Sequence, residues 1–181
     1  QCMESTYGDD NKPTRVVVKT GMRNPVGMTF DADGNLFSTD MGVDGLGETV
    51  PLEELLNSDL SCDGKTWYEF PWLSANYTLD PFKDIAVPDN LNSDRCPPVH
   101  LSDAHSAPLG LEFGGGAMFG DDGNRTVYVA RHGSWNRAIA KGADVRKLTL
   151  SADRKTVLKD EEFFGGCIAG EGTTESAYRC R

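Results

Sequence analysis

Apolar residues alternate with others in two short stretches of this chain, each followed by a turn and a returning strand. Val26, Met28 and Phe30 alternate with Gly27 and Thr29, Asp33-Gly34-Asn35 supply a tight turn, and Leu36-Phe37-Ser38-Thr39 run back. That pattern predicts a β-hairpin. It returns later: Pro25-Val26-Gly27-Met28-Thr29-Phe30 matches Pro108-Leu109-Gly110-Leu111-Glu112-Phe113 with Pro, Gly and Phe in register. An Asp-Gly-Asn turn follows each copy (Asp33 to Asn35, Asp122 to Asn124), then an apolar strand and a polar exit loop. A β-meander repeated at long period is the mark of a propeller or a related array.

The remaining segments fit around these two hairpins. Arg15 to Lys19 reads as a strand, the last of a blade begun earlier, while residues 1 to 13 are polar and Gly8 to Pro13 read as loop. Pro51-Leu52-Glu53-Glu54-Leu55-Leu56 places Pro at a helix start and apolar residues three and four apart, which predicts one or two helical turns. Val145, Leu148 and Leu150 alternate weakly, and Ser151 to Lys155 turn the chain into Thr156-Val157-Leu158, the outer strands of a second blade. Between 57 and 99 the chain is an irregular insertion. There Trp67, Tyr68, Phe70, Trp72, Tyr77 and Phe82 either pack the insertion down or line a sugar site by stacking. The expected fold is all-β: antiparallel blades of a partial β-propeller over 1–181, with hairpin units near 15–56 and 105–166.

Composition narrows the function. The formal net charge is −10 and no basic stripe exists to meet phosphates, which argues against nucleic acid. No run of 18 apolar residues is present, so no membrane span is expected. Five cysteines and the sequons Asn76-Tyr77-Thr78 and Asn124-Arg125-Thr126 favour a secreted protein. Cys62 and Cys96 flank the insertion and Cys167 and Cys180 flank a Gly-rich loop, so those pairs are expected as disulfides, leaving Cys2 to a partner elsewhere. No C-x-x-C supports zinc instead.

Candidate chemistry lies at the hairpin ends. In an antiparallel pair the start of one strand and the end of the next share an edge. Arg23 and Asn24, leading into the first strand, and the carbonyls of Gly42 and Val43, leaving the second, should therefore face one space. A guanidinium, an amide and backbone oxygens there suit an anionic ligand together with a hard cation, with Asp40 and Asp44 close enough to assist. Asp31-Ala32-Asp33-Gly34-Asn35 is not an EF-hand, because its Gly comes too early and the bidentate Glu is absent. Gly133-Ser134-Trp135 lacks the second Gly of a nucleophile elbow.

Three loops taken together carry a resemblance. Gly21-Met22-Arg23-Asn24-Pro25, His105-Ser106-Ala107-Pro108-Leu109-Gly110 and His132-Gly133-Ser134-Trp135-Asn136-Arg137 resemble the soluble PQQ-dependent glucose/sorbosone dehydrogenases, including fungal pyranose dehydrogenases, over roughly residues 15 to 166. The resemblance implies a six-bladed propeller, of which 181 residues hold only about two blades. The rest of the ring is then expected from a longer chain or from other chains. It also implies an oxidoreductase using PQQ and Ca²⁺ on an aldose or related sugar. Arg23, Asn24, His105, Arg131, His132 and Arg137 would meet PQQ, and the Gly42 and Val43 carbonyls would meet calcium. Val43 stands where the family has Pro, which removes a rigid turn but not a carbonyl. The family's catalytic His comes from an earlier blade, and no His precedes residue 21, so no catalytic residue is assigned in this chain. The alternatives are a non-catalytic extracellular propeller that binds a glycan or protein, and a subunit of a multi-chain ring.

Overall fold

The computed structural model describes residues 2–7, 13–57, 62, 70–75, 77–78, 86, 89, 95–115 and 124–166. Two four-stranded antiparallel sheets dominate it. The first is β3 (Pro25–Phe30), β4 (Leu36–Asp40), β5 (Glu53–Asn57) and β8 (His100–Ser102), hydrogen-bonded in that order. The second is β9 (Pro108–Phe113), β10 (Thr126–Arg131), β11 (Asp144–Leu150) and β12 (Val157–Phe164), again in chain order. Before them, β1 (Cys2–Tyr7) and β2 (Pro13–Lys19) form a hairpin of their own, and β6 (Leu73–Ser74) and β7 (Tyr77–Thr78) make a small ladder inside the insertion. These are antiparallel propeller blades, all β, with no helix among the described residues.

The repeat seen in the sequence is a repeat in space. Pro25 pairs with Asp40 across β3–β4, and Pro108 pairs with Arg131 across β9–β10, each beside a register shift at the strand end. The backbone N–H of Met41 donates to the Asn24 carbonyl at 3.3 Å, and that of His132 donates to Ala107 at the equivalent place, 2.9 Å. The shared glycine is explained by close approach. A Cβ on Gly27 would lie 2.9 Å from Thr39 Oγ1 and 3.0 Å from both the Leu109 carbonyl oxygen and Leu111 Cβ. Those last two atoms belong to β9, so Gly27 is where the innermost strands of the two blades touch. Thr39 Oγ1 accepts the Gly27 N–H at 3.0 Å, filling the gap that the register shift leaves.

The core lies between the blades. Phe37 and Leu55 of the first pack with Val127, Val129, Leu148 and Leu150 of the second, and Phe37 meets Phe113 edge to face at 4.9 Å. The outermost strands are joined by charge instead. His100 Nε2 of β8 and Arg146 Nε of β11 both reach the Asp160 carboxylate of β12, at 3.0 and 2.7 Å. Inner strands meet inner and outer meet outer, which is the side-by-side arrangement of neighbouring blades.

One expectation needs correction, and one segment gains an element the sequence did not assign. Residues 51–56 do not form helical turns: Glu53–Asn57 is β5, a central strand whose residues are all buried. A strand covered on both faces loses its alternation, and a Glu-Glu-Leu-Leu run then mimics a helical period. Within the polar opening segment, Cys2–Tyr7 is a strand, because β2 offers it a full ladder from Lys19 back to Pro13. The Cys62–Cys96 disulfide is present as expected. The Cys167–Cys180 pair, the Cys2 side chain, Asn76, and Trp67, Tyr68, Phe82 and the Tyr77 ring fall outside what is described.

Two stability predictions follow from the insertion and the outer seam. The disulfide spans 34 residues, so Cys96→Ala should destabilise the folded protein by about 2–4 kcal/mol through a freer unfolded chain. Thermal unfolding with and without reductant measures this, and an unmoved transition would contradict it. For Asp160, burial pushes the carboxyl up, but the hydrogen bonds and charges of His100 and Arg146 override it and hold it at about 2, below the usual 3.8. A depressed carboxylate stabilises above its unfolded value and loses that contribution as pH falls towards its folded one. Asp160→Asn should therefore cost about 1 kcal/mol at neutral pH after solvent screening, with the gap to wild type closing between about pH 4 and pH 2. A pH-independent difference would sink this assignment.

Candidate functional site

Both blades present their strand ends and connecting loops to one end of the molecule, and a cleft of about 250 Å³ opens there. Arg23, Asn24, Met41, Gly42, Asp44, Glu53, His105, Ala107 and Trp135 line it. Four of the expected site residues thus share one space: Arg23, Asn24, Gly42 and His105. Val43 sits between two lining residues. A second, more open hollow of about 500 Å³ is bounded by Asp44, Gly45, Gly47, Glu48, Trp135 and Asn136. Asp44 and Trp135 border both.

Carboxylates fix the loops that form the cleft. Asp40 ends β4 and accepts the backbone N–H groups of Arg23 at 2.9 Å and Asn24 at 2.6 Å. Each of its oxygens is thus engaged by the Arg23–Asn24 backbone. Burial pushes Asp40 up to about 6, against the lowering effect of those two N–H groups. Glu53, on β5, accepts the Gly42 N–H at 2.7 Å through one oxygen and the Ala107 N–H at 3.4 Å through the other. One buried side chain therefore links the exit loop of the first blade to the lead-in loop of the second, and burial raises its pKa. Neighbouring Glu54 accepts the Ala75 N–H at 2.8 Å and so ties down the insertion. Gly42 has no room for a side chain, since a Cβ there would lie 2.8 Å from Pro51 Cγ.

His105 is buried, with Nε2 donating to the Gly47 carbonyl at 2.7 Å and Nδ1 3.8 Å from Asp44. Its backbone is left-handed (φ 62°), as is that of Ala107 (φ 53°), so the lead-in loop is held in an unfavourable shape by its surroundings. Arg23 faces Asp44 at 3.6 Å, and Asn136 Nδ2 donates to the same carboxylate at 3.3 Å.

The other expected residues are placed differently. Arg131 forms a fork on Asp144, Nε to Oδ1 at 2.6 Å and Nη2 to Oδ2 at 2.5 Å, and Nη1 reaches Asp103 at 3.1 Å. Burial lowers its pKa, yet the hydrogen bonds and charges of Asp144 and Asp103 override that and raise it. Arg137 donates to the carbonyls of Ala104 at 3.1 Å and Ile139 at 3.2 Å, bracing the loop that carries His105. The His132 backbone closes the loop against Ala107. None of these three side chains lines the cleft. Sequence reasoning passed over Glu53 and Trp135. Glu53 was hidden in a supposed helix, whereas an exposed Trp in a strand-exit loop was a signal available from the start.

The cleft combines a guanidinium, an amide and an imidazole with the carboxylates of Asp44 and Glu53. That set suits a ligand bearing negative charge beside hydrogen-bonding oxygens, with a cation to balance the two carboxylates. Asn136 Oδ1, buried without a hydrogen-bond partner, is a further acceptor at the rim. Among the described residues no group of three or more His, Cys, Asp or Glu is arranged to hold a metal, so a cation here would depend on backbone oxygens such as those of Gly42 and Val43.

No family model matches the chain. An uncharacterized protein of Borreliella burgdorferi is 30% identical over 154 residues, covering 84% of this chain and 39% of that protein. The pyrroloquinoline quinone-dependent pyranose dehydrogenase of Coprinopsis cinerea is 31% identical over 156 residues, covering 71% of this chain and 21% of the enzyme. The holo structure of a pyranose dehydrogenase PQQ domain from the same fungus superposes with a TM-score of 0.50 at 23% identity, over 88% of this chain and 41% of that one. A Trichoderma reesei structure of Carbohydrate-Active Enzymes Family AA12 superposes with a TM-score of 0.59 at 18% identity, over 80% and 41%. The chain thus spans about two fifths or less of the length of these relatives.

Arg131 belongs to the scaffold, bound on both sides by Asp144 and Asp103. Arg131→Ala should lower stability by about 3–5 kcal/mol, because Asp144 is left buried without its partner. Denaturant or thermal unfolding reads this directly. A variant of normal stability would show that the pair is not structural.

Proposed function

Starting from a chain that is a partial-length relative of the PQQ-dependent sugar dehydrogenases, we propose that it forms part of the cofactor site of a PQQ- and calcium-dependent sugar dehydrogenase. The observation that carries this reading is the convergence of Arg23, Asn24, Gly42 and His105 on one cleft. Arg23, Asn24 and His105 come from the loops on which the resemblance rests. PQQ held by these residues would supply a hydride acceptor for oxidation of an aldose or related sugar at its anomeric carbon.

This chain's own residues bind and orient. The Arg23 guanidinium and Asn24 amide offer donors to an anionic cofactor, on a backbone that the Asp40 carboxylate holds in place. The Gly42 and Val43 carbonyls would hold calcium. His105, which lines the same cleft, is assigned to cofactor contact. Arg131, His132 and Arg137 act at one remove, through the loops they brace. The base that takes the sugar hydroxyl proton would come from a blade outside these residues.

Further blades of a longer chain would complete the ring, with residues 1–181 as one partial propeller domain. Val26, Met28 and Phe30 support this: they lie 46%, 49% and 63% exposed along β3, alternating with Gly27, which touches the second blade. An apolar row on the opposite face of an inner strand suits another blade. The disulfide between Cys62 and Cys96 and the two sequons support secretion. No described helix is long and apolar enough to cross a membrane.

The test uses the complete natural protein. Adding PQQ and Ca²⁺ to apoprotein should produce dye-linked oxidation of an aldose, and Arg23→Ala should weaken PQQ binding by roughly tenfold or more. An apoprotein that neither binds PQQ nor gains activity would refute the reading and favour a binding propeller.

A further inference from the structure

Arg23 and Arg131 stand near strand ends of successive blades, yet only one of them can be released to a ligand. The Arg131–Asp144 pair is 5% and 8% exposed, and unpairing it would leave a buried charge alone. Arg23 is 29% exposed and its partner Asp44 49%, at 3.6 Å. A pair of that kind is worth little in water and is readily exchanged. Asp44 is also 3.8 Å from His105 Nδ1 and accepts from Asn136 Nδ2 at 3.3 Å. One carboxylate is therefore shared among donors from both blades, at the rim that the two hollows have in common. A ligand carboxylate placed there would meet the same donors. The loop around Asp44 is open: Gly45 follows it with φ 85°, and a Cβ there would meet nothing within 4 Å.

We propose that Asp44 is a built-in stand-in for the carboxylate of an anionic ligand. It holds the Arg23 guanidinium and the Asn136 amide at the rim of the cleft while no ligand is bound, and an incoming polyanion displaces it. The residue thereby sets which anions the cleft accepts. An anion that reaches only one of the two donors does not replace Asp44 at both, whereas a rigid polycarboxylate does. The inference rests on the reading of the cleft as a site for an anionic cofactor.

The test is a calorimetric titration of the complete protein with PQQ and, separately, with citrate, a tricarboxylate without a quinone. Wild type, Asp44→Asn, Asp44→Ser and Arg23→Ala are compared, and no turnover is needed. Both Asp44 variants should bind both ligands more tightly, by roughly fivefold. Combining Asp44→Asn with Arg23→Ala should abolish that gain, because the competition is for Arg23. Affinity unchanged or weakened in both Asp44 variants would overturn the proposal. If citrate binds and tightens while PQQ does not bind, Asp44 keeps its role and the cofactor reading falls. If neither ligand binds any variant, both fall.

Discussion

The contact of β3 with β9 at Gly27 governs most of what the molecule presents at its functional end. Two sheets can approach this closely only where a side chain is missing, and Gly27 is wedged between Thr39, Leu109 and Leu111. The approach sets the spacing of the inner strands and hence of the loops that leave them. A methyl group there would push apart the loops bearing Arg23 and His105, although neither residue touches the glycine. The apolar core behind it, centred on Phe37, Leu55, Val127 and Leu148, keeps the blades in that relation along their length.

Once the loops are side by side, carboxylates decide their shape. Asp40 and Glu53 accept backbone N–H groups and so act as short ties inside a polypeptide that has no regular ladder there. Burying an ionised group is expensive, and the raised pKa values of both acids reflect it. The two hydrogen bonds each receives partly offset the penalty. The cleft is acidic for structural reasons as much as functional ones, and any anion that binds it works against that background.

Much of this was legible in the residues. Alternation and the Asp-Gly-Asn turns identified both hairpins, and their matched Pro, Gly and Phe identified the repeat. The disulfide around the insertion was readable because Cys62 and Cys96 bracket a stretch without periodicity. Other features were not. β5 is covered on both faces, so the signal that distinguishes strand from helix is erased over Glu53 to Asn57. The roles of Arg131 and Arg137 depend on which oxygens lie within reach after folding. An arginine in a polar loop looks alike whether it awaits a ligand or clasps Asp144. Strand-end geometry led to Arg23, Asn24 and Gly42 sharing one space, and they line one cleft, whereas His105 joins them from the second blade by a route that argument did not contain.

The pairing of Pro25 with Asp40 and of Pro108 with Arg131 has a bearing on how the repeat can vary. The two copies share a backbone course, yet the same position carries an acid in one and a base in the other. Each of those charges has recruited its own neighbours, Asp40 the amides of Arg23 and Asn24, Arg131 the carboxylates of Asp144 and Asp103. The blades are consequently keyed rather than interchangeable. A sequence averaged over the two copies would satisfy neither set of neighbours, so drift in one unit is held in check by partners that the other does not possess. The opposite charges at one register position make each copy specific to its own neighbours.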